Sequence, residues 1–301
     1  MREVPFTVYC DEEMMWCQAP VRQHFWSVCA ANGLPHVVLT TEIIRAVMGN
    51  YEMAEQFRKD AAVAGVKFVD AHAPFGPRED LGVDGDGRNE MLARTRLAIE
   101  IAASFGVETI TFHIGHIRPE YGYLTKEQLV VNACETLHEL LPVAERCGII
   151  IAVENIWFPG CLAGDVVKIV QQLNSPYVGA CFDAGHANLM EHGVLHEESD
   201  ASAAWGGKAN VPWSDKTLET LLPYLVSTHL HDNDGQRDRH LLPGSGNAAW
   251  ERIVPMLKRA PRLRVIQSET SPMLARASYA RVAEVYTRLL GLDNGMVRMA
   301  D

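Results

Sequence analysis

Residues 148–155 (GIIIAVEN) and 177–186 (YVGACFDAGH) decide the fold. Each segment is a short β-rich apolar run that reaches an acidic residue, Glu154 or Asp183, and a predicted helix over 165–173 separates them. Apolar strands that alternate with helices are typical of βαβ units, whose strands pair in parallel. The two segments therefore predict neighbouring strands of a parallel sheet.

The same alternation continues in both directions along the chain. Six more strands are predicted at 6–10 (FTVYC), 36–42 (HVVLTTE), 66–72 (VKFVDAH), 107–113 (VETITFH), 225–232 (LVSTHLHD) and 263–269 (LRVIQSE). Further helices are predicted at 21–32, 89–105, 126–146 and 216–225, with a Gly- and Ala-rich insertion at about 191–211. This pattern predicts an α/β fold, a (β/α)8 TIM barrel that forms a single domain over 1–301 with a C-terminal tail at about 291–301.

Composition narrows the class of protein. Apolar residues make up 48% of the chain, but no segment has the roughly 18 uncharged apolar residues of a membrane helix. The N-terminal residues also lack the pattern of a secretory signal, so we expect a cytoplasmic protein without a membrane partner.

Seven cysteines without a C-x-x-C pair indicate neither a disulfide framework nor a cysteine zinc site. A formal net charge of -11 disfavours nucleic acid as a partner, because nucleic-acid binders neutralise phosphates with Lys and Arg.

Histidines and carboxylates recur at the carboxyl ends of the predicted strands, which converge on one face of a barrel. A lone residue of this kind is more often a structural hydrogen-bonding group, so the prediction rests on the whole set. Carboxylates and imidazoles gathered without Lys or Arg destabilise one another, and a divalent cation relieves that cost. We therefore predict a centre of one to three divalent ions, with zinc, manganese or cobalt as candidates. The nine candidate ligands are His72, His113, Glu154, Asp183, His186, His229, Asp238, His240 and Glu269.

Four other residues are candidates for substrate binding. His231 lies on the same side of its strand as His229, because strand side chains repeat every second residue, so it could replace His229 as a ligand or line the substrate pocket. His116, Arg118 and Arg239 lie in loops on the same face. The arginines could hold a phosphate or carboxylate of the substrate, and a solvated loop charge is the alternative for each.

Read in order, these motifs resemble those of the xylose isomerase-like TIM barrel superfamily. That superfamily contains sugar phosphate isomerases and epimerases together with AP endonucleases of the endonuclease IV type. The resemblance is carried by HAPF (72–75), TFHIG (111–115), VEN (153–155), FDAGHAN (182–188), HLHDNDG (229–235), DRHLLPGSG (238–246) and SET (268–270). It implies that the core metal site consists of Glu154, Asp183, His229 and Glu269.

The resemblance also implies a reaction. In the isomerases and epimerases the metal holds adjacent sugar oxygens while two glutamates move a proton through an enediolate, and Glu154 and Glu269 match those glutamates. We therefore predict a metal-dependent isomerase or epimerase whose partner is a small carbohydrate, that is, a sugar, sugar phosphate or related polyol. Because no Lys lies at a predicted strand end, proton transfer is favoured over a hydride shift.

Two other reactions fit the same ligands. The repair nucleases keep all nine ligands and hold three zinc ions, so a multinuclear zinc hydrolase, either an AP endonuclease or a phosphodiesterase, is one alternative. A metal-dependent dehydratase or lyase is the other. Short acidic loops and the negative charge favour the small-molecule reaction. The sequence leaves the sugar and the oligomeric state open, and a homo-oligomer is compatible with it.

Overall fold

Parallel strands form the centre of the molecule. The computed structural model describes residues 2–10, 18–116, 124–191 and 198–300. The strands are β1 (Glu3–Val8), β2 (His36–Leu39), β3 (Lys67–His72), β4 (Thr109–Phe112), β5 (Ile150–Glu154), β6 (Val178–Asp183), β7 (Leu225–Leu230), β8 (Ile266–Ser268) and β9 (Met296–Arg298). Strands β1 to β8 pair in parallel in chain order, and β1 also pairs with β8, so these eight strands close into a barrel. Strand β9 pairs antiparallel with the first half of β1.

Helices surround the barrel. They are α1 (Ala19–Ala31), α2 (Thr41–Gly49), α3 (Glu52–Ala64), α4 (Arg88–Ser104), α5 (Lys126–Cys147), α6 (Ala163–Leu173), α7 (Ala184–Asn188), α8 (Asp200–Ala204), α9 (Thr217–Leu221), α10 (Trp250–Leu257) and α11 (Tyr279–Leu290). Local sequence sets their limits, as α5 illustrates. Thr125 and Gln128 form a capping box at its start, and Gly148 ends it in the left-handed conformation (φ 68°), which turns the chain into β5.

The buried apolar residues form two layers. One face of each strand packs against the helices in a continuous core, to which α6 contributes Val166, Ile169 and Val170. A separate small cluster consists of Ala152, Cys181 and Val226. Because strand side chains alternate, Ala152 and Cys181 of this inner cluster mark the side of the barrel wall from which Glu154 and Asp183 project.

The predicted (β/α)8 barrel is confirmed, but several strand boundaries differ from the prediction, among them the end of β2. The strand predicted over 36–42 ends at Leu39, and Thr41–Gly49 is helical. One face of this helix is buried and carries Ile43, Ile44 and Val47. The packing of this face outweighs the β propensity of Thr40 and Thr41. None of the helices in the described ranges combines the length and apolar character of a membrane span.

Candidate metal centre

The barrel brings the predicted ligands to one end. Six of them lie within one residue of the carboxyl end of a strand: His72 on β3, His113 after β4, Glu154 on β5, Asp183 on β6, His229 on β7 and Glu269 after β8. Glu154 and Asp183 project from the same side of their strands as Ala152 and Cys181 of the inner cluster. In the parallel register Asp183 lies directly beside His229. Strand geometry, rather than loop conformation, therefore positions most of the site.

The core group is Glu154, Asp183, His229 and Glu269. Each offers one ligand atom, and these atoms all lie within 4.8 Å of one another. Nδ1 of His229 lies 3.4 Å from a carboxylate oxygen of Glu154 and 3.4 Å from one of Glu269. All four side chains are buried or nearly so. This is the four-residue set that the resemblance implied for the core site.

Two histidines flank the core on one side. Nε2 of His113 lies 3.2 Å, and Nε2 of His72 3.7 Å, from the same oxygen of Glu154, Oε2. The three residues form a second group with ligand atoms within 4.8 Å of one another. Glu154 therefore belongs to both groups and would supply a ligand atom to an ion held by either.

His186, Asp238 and His240 flank the core on the other side. Oδ2 of Asp238 lies 3.4 Å from Nε2 of His186 and 3.1 Å from Nε2 of His240. His186 also approaches the core, with Nδ1 3.1 Å from Oε1 of Glu154. The D-x-x-H and D-x-H pairs of the sequence thus meet on one side of the barrel mouth.

His231 lies between the core and this second flank. Its Nε2 is 3.1 Å from Oδ2 of Asp183, and its ring stacks on His240 with 4.0 Å between centroids. It belongs to two candidate groups, one with Asp183 and His186 and one with His240 and Glu269, whereas His229 belongs to the core group. The ring fits only because residue 185 is a glycine, since a Cβ there would lie 1.9 Å from His231 Cε1.

Backbone hydrogen bonds orient three of the imidazoles. Nδ1 of His72 is 2.8 Å from the carbonyl oxygen of Ala73, and Nδ1 of His240 is 2.8 Å from that of Glu269. Nδ1 of His186 is 3.0 Å from the carbonyl oxygen of Asn155. With a proton on Nδ1 in each ring, Nε2 keeps its lone pair and points toward the carboxylates. Metal-binding histidines are commonly fixed in this way.

The residues present fit a divalent cation. Oε2 of Glu154, both ring nitrogens of His229 and Oδ1 of Asp238 are buried without a hydrogen-bond partner in the described chain. Leaving such atoms unsatisfied costs about 1–3 kcal/mol each. A cation coordinated by imidazole nitrogens and carboxylate oxygens would satisfy them, and this donor set suits zinc, manganese or cobalt.

Despite burial, neighbouring imidazoles lower the pKa of two carboxyl groups of the site, Glu154 and Asp238. Burial acts to raise the pKa of Glu154, but His229 and His113 outweigh it and hold the pKa well below its usual range. Burial acts in the same way on Asp238, where His240 and His186 hold the pKa well below its usual range. Both groups are therefore ionised at neutral pH.

Despite burial, nearby carboxylates raise the pKa values of two imidazoles, His186 and His240. Burial acts to lower the pKa of His186, yet Asp183 and Asp238 raise it well above its usual value. For His240, Asp238 outweighs the effect of burial and raises the pKa to about 10. Without a cation, protons on the imidazoles balance the carboxylates, so metal ions and protons compete for the same nitrogens.

A cavity of about 540 Å³ opens above these groups. Glu154, Asp238 and Glu269 are among the residues on its floor, and its walls include Phe75, Trp157, Phe158, Met273 and Leu274. These aromatic and aliphatic side chains were not predicted as site residues. They lie in loops, where the sequence alone does not show whether an apolar residue lines a pocket or packs in the interior.

The predicted substrate-binding residues lie in different surroundings. His116 lines the cavity and packs against Phe158 with 3.7 Å between ring centroids. His231 is fully buried among the candidate ligands, as described above. Arg239 is exposed and pairs with Asp234 at 3.4 Å. Arg118 lies outside the described residues, so its role stays a prediction.

Two buried aspartates near the site were missed in the sequence. Oδ1 of Asp70 accepts a 2.6 Å hydrogen bond from Thr109, and burial raises the pKa of this carboxyl group to about 6. Asp232 accepts hydrogen bonds from Trp250 Nε1 at 2.9 Å and from the backbone N–H of Gly244 at 2.7 Å, and so anchors the loop that carries Asp238. Asp70 lies two residues before His72, and Asp232 directly follows His231, which is the signal that could have indicated them.

Residues 26–272 match the family described as xylose isomerase-like TIM barrel. The chain belongs to this family. The predicted resemblance is therefore confirmed, and it extends beyond the motifs on which it was based.

Two curated relatives are similar over part of the chain. An uncharacterised protein of Methanocaldococcus jannaschii is 29% identical over 191 residues, which are 62% of this chain and 59% of that protein. An uncharacterised protein of Sinorhizobium fredii is 26% identical over 190 residues, which are 58% of this chain and 53% of that protein. The chain thus spans less than two thirds of the length of the curated relatives that it matches.

Several solved structures share the fold over nearly the whole chain. A D-tagatose 3-epimerase-like protein is 20% identical, with a TM-score of 0.69 and coverage of 96% of this chain and 97% of that chain. D-psicose 3-epimerase from Clostridium cellulolyticum, solved with D-tagatose, is 16% identical, with a TM-score of 0.66 and coverage of 95% and 98%. The IolI protein, solved with a zinc atom, is 16% identical, with a TM-score of 0.63 and coverage of 94% and 96%. At these identities the similarity shows the fold alone.

Proposed function

We propose that this protein is a divalent-metal-dependent isomerase or epimerase of a sugar, sugar phosphate or related polyol. In this proposal Glu154 and Glu269 move a proton to and from a substrate carbon. The observation that carries it is that both carboxylates belong to the core group, with ligand atoms within 4.8 Å, and both line the same cavity. The names of the two epimerase structures with this fold support the same class of reaction.

The side chains of the site suit proton transfer. The pKa of Glu154 is held well below its usual range, after burial is outweighed by His229 and His113, so its carboxylate is ionised and available as a base. A cation bound by the core group would polarise adjacent sugar oxygens and make the neighbouring carbon-bound proton more acidic. Glu269, on the same floor, can return a proton to that carbon. Return to the opposite face gives an epimer.

The cavity walls favour proton transfer over a hydride shift. Among the described residues that line the cavity there is no Lys or Arg, so no ammonium group is present to polarise a substrate carbonyl.

Deuterium incorporation tests the proposal. Metal-loaded protein is incubated in D₂O with a panel of ketoses and aldoses, and each sugar is examined by NMR and mass spectrometry. We expect deuterium at the carbon next to a carbonyl, loss of this exchange on chelation, and recovery when manganese or cobalt is added. Interconversion of sugars without deuterium uptake, or no exchange with any sugar of the panel, contradicts the proposal.

A multinuclear zinc hydrolase is the second candidate. It is favoured by one observation, the additional ligand types of His72 and His113 on one flank and of His186, Asp238 and His240 on the other. Three zinc ions per chain and cleavage of abasic-site DNA or a model phosphodiester would support it. A dehydratase or lyase would start with the same proton removal and is distinguished by a product that has lost water or another leaving group.

A further inference from the structure

The cavity above the candidate metal centre has two chemically distinct parts. Its floor carries the carboxylates of Glu154, Asp238 and Glu269, whereas its upper walls carry no carboxylate, Lys or Arg among the described lining residues. The upper part is formed by Tyr9, Phe75, Trp157, Phe158, Met273 and Leu274, together with Ile156, Ser271 and the imidazole of His116. A molecule that reaches the floor must therefore also contact an apolar surface.

Part of this apolar surface is exposed to solvent. Leu274 is 57%, Met273 55% and Phe75 42% exposed, although large apolar side chains usually avoid water. These side chains line the same cavity as the carboxylates, so a molecule that binds to the floor can also cover them. The volume of about 540 Å³ lies in the range of pockets for drug-sized ligands, which exceed a single sugar ring.

Among the described lining residues there is no Lys or Arg to pair with a phosphate group in this upper part. Burying an ionised group against apolar walls is unfavourable unless an opposite charge accompanies it. Arginines do occur near Phe75, but Arg45 and Arg94 line a separate depression and both pair with Glu79 at 2.6 Å. Arg78 also lines that depression and is not among the residues that line the cavity above the floor.

We infer that the substrate is an uncharged sugar derivative with an apolar substituent, an aryl or alkyl group attached away from the reacting carbon. The substituent lies between Trp157 and Phe158 on one side and Met273 and Leu274 on the other, while the sugar oxygens lie over the floor. This inference rests on the proposed function for the position of the reacting carbon. It goes further by selecting among sugar, sugar phosphate and substituted sugar.

Binding measurements test the inference without relying on turnover. Zinc-loaded protein is titrated calorimetrically with phenyl and methyl β-glycosides of glucose, galactose and xylose, and with glucose and glucose 6-phosphate. For at least one sugar we expect the phenyl glycoside to bind about tenfold tighter than the methyl glycoside, because the ring removes apolar area from water. We also expect glucose 6-phosphate to bind no tighter than glucose.

Variants locate the preference in the upper walls. In the double variant Met273→Ser, Leu274→Ser the ratio of phenyl to methyl affinity should fall to about threefold or less, because the apolar contact is lost. Both residues are more than half exposed, so folding should be retained, and thermal unfolding checks this. The matched control is Val131→Ser on α5, which is 53% exposed and is not among the residues that line the cavity.

The outcomes separate the inference from the proposed function. Equal affinity for phenyl and methyl glycosides across the panel, an unchanged ratio in the double variant, or tighter binding of glucose 6-phosphate than of glucose overturns the inference. A phenyl preference that the double variant loses supports it. If that preference is present but no sugar exchanges deuterium, the proposed reaction fails and the assigned substrate chemistry stands.

Discussion

Oε2 of Glu154 lies 3.4 Å from Nδ1 of His229, and neither atom has a hydrogen-bond partner in the described chain. Both residues are almost completely buried. A carboxylate and an imidazole in this relationship need either a proton on the imidazole or a shared cation between them. The stability of the metal-free protein should therefore depend on pH in a manner that metal abolishes.

The first prediction concerns that dependence. Burial lowers the pKa of His186, but Asp183 and Asp238 outweigh it and the pKa lies well above 6.5, while the pKa of His240 is raised to about 10. Such groups stabilise the fold fully below their unfolded pKa of 6.5, and the stabilisation is lost as pH rises through the folded pKa. We expect the free energy of unfolding of chelated protein, measured with urea, to decrease steadily from pH 6.5 toward pH 10.

Glu154 sets the acid limit of the pH range in which the metal-free protein is most stable. The pKa of Glu154 lies well below 4.5, so its stabilising effect is present above 4.5 and disappears as pH falls through the folded value. Metal-free protein should thus be most stable between about pH 4.5 and 6.5. Added manganese should remove the decrease on the alkaline side, because the ion replaces the imidazole protons. Chelated protein that is equally stable at pH 6 and pH 9 contradicts the prediction.

The second prediction concerns the number of ions. If the protein is an isomerase or epimerase, the core group binds the essential ion, so Asp183→Asn should weaken metal binding by more than about 100-fold. Asp238→Asn, on the flank, should retain one ion per chain. Elemental analysis after dialysis measures both. Three zinc ions in the native chain, falling to two in Asp238→Asn, would instead support the multinuclear hydrolase.

The fold and most of the ligand set could be predicted because both depend on local sequence. A strand end is recognisable from an apolar run that stops at a polar residue, as at Glu154 and Asp183. Barrel closure then places all strand ends on one face, so residues far apart in sequence converge without any knowledge of the loops. The D-x-x-H spacing is also a local feature of the sequence. Asp183 caps α7 by accepting a hydrogen bond from the backbone N–H of His186 at 2.6 Å.

Features that depend on loop conformation could not be predicted. Phe75, Trp157 and Leu274 become pocket walls only through the paths of three separate loops, and their sequence gives no signal of this. The orientation of His231 depends on the space left by Gly185, which is a property of the packed structure. The helix Thr41–Gly49 was missed because the preceding strand and the first helical turn share apolar and β-branched residues.

The third prediction concerns the proposed acid/base pair. Glu269→Gln and Glu154→Gln remove the proton acceptors but keep the size of the side chains, so deuterium exchange into the sugar should fall by about 10²- to 10⁴-fold. Measuring metal content alongside separates loss of proton transfer from loss of the ion, since both residues belong to the core group. Glu219→Gln, a half-exposed residue paired with Arg252, is the control and should keep the native rate. Equal exchange rates in all three variants would remove Glu154 and Glu269 from the reaction.

The fourth prediction concerns the close approach between Gly185 and His231. An alanine Cβ at residue 185 would lie 1.9 Å from Cε1 and 2.5 Å from Nδ1 of the His231 ring, so the ring must move away from Asp183. We expect Gly185→Ala to lower the free energy of unfolding by about 1–3 kcal/mol, as other overpacked buried sites do. Metal binding should weaken at the same time, because the displaced ring also stacks on His240.

The matched control is Gly164→Ala on α6, where a new Cβ meets nothing within 4 Å. This exposed helical position should gain about 0.5–1 kcal/mol of stability, because alanine loses less backbone freedom than glycine on folding. Urea unfolding and metal titration of both variants give the comparison. If Gly185→Ala matched the control in both measurements, the packing of His231 against residue 185 would have no part in holding Asp183 and His240 in place. That result would also remove the reason for a glycine between Asp183 and His186.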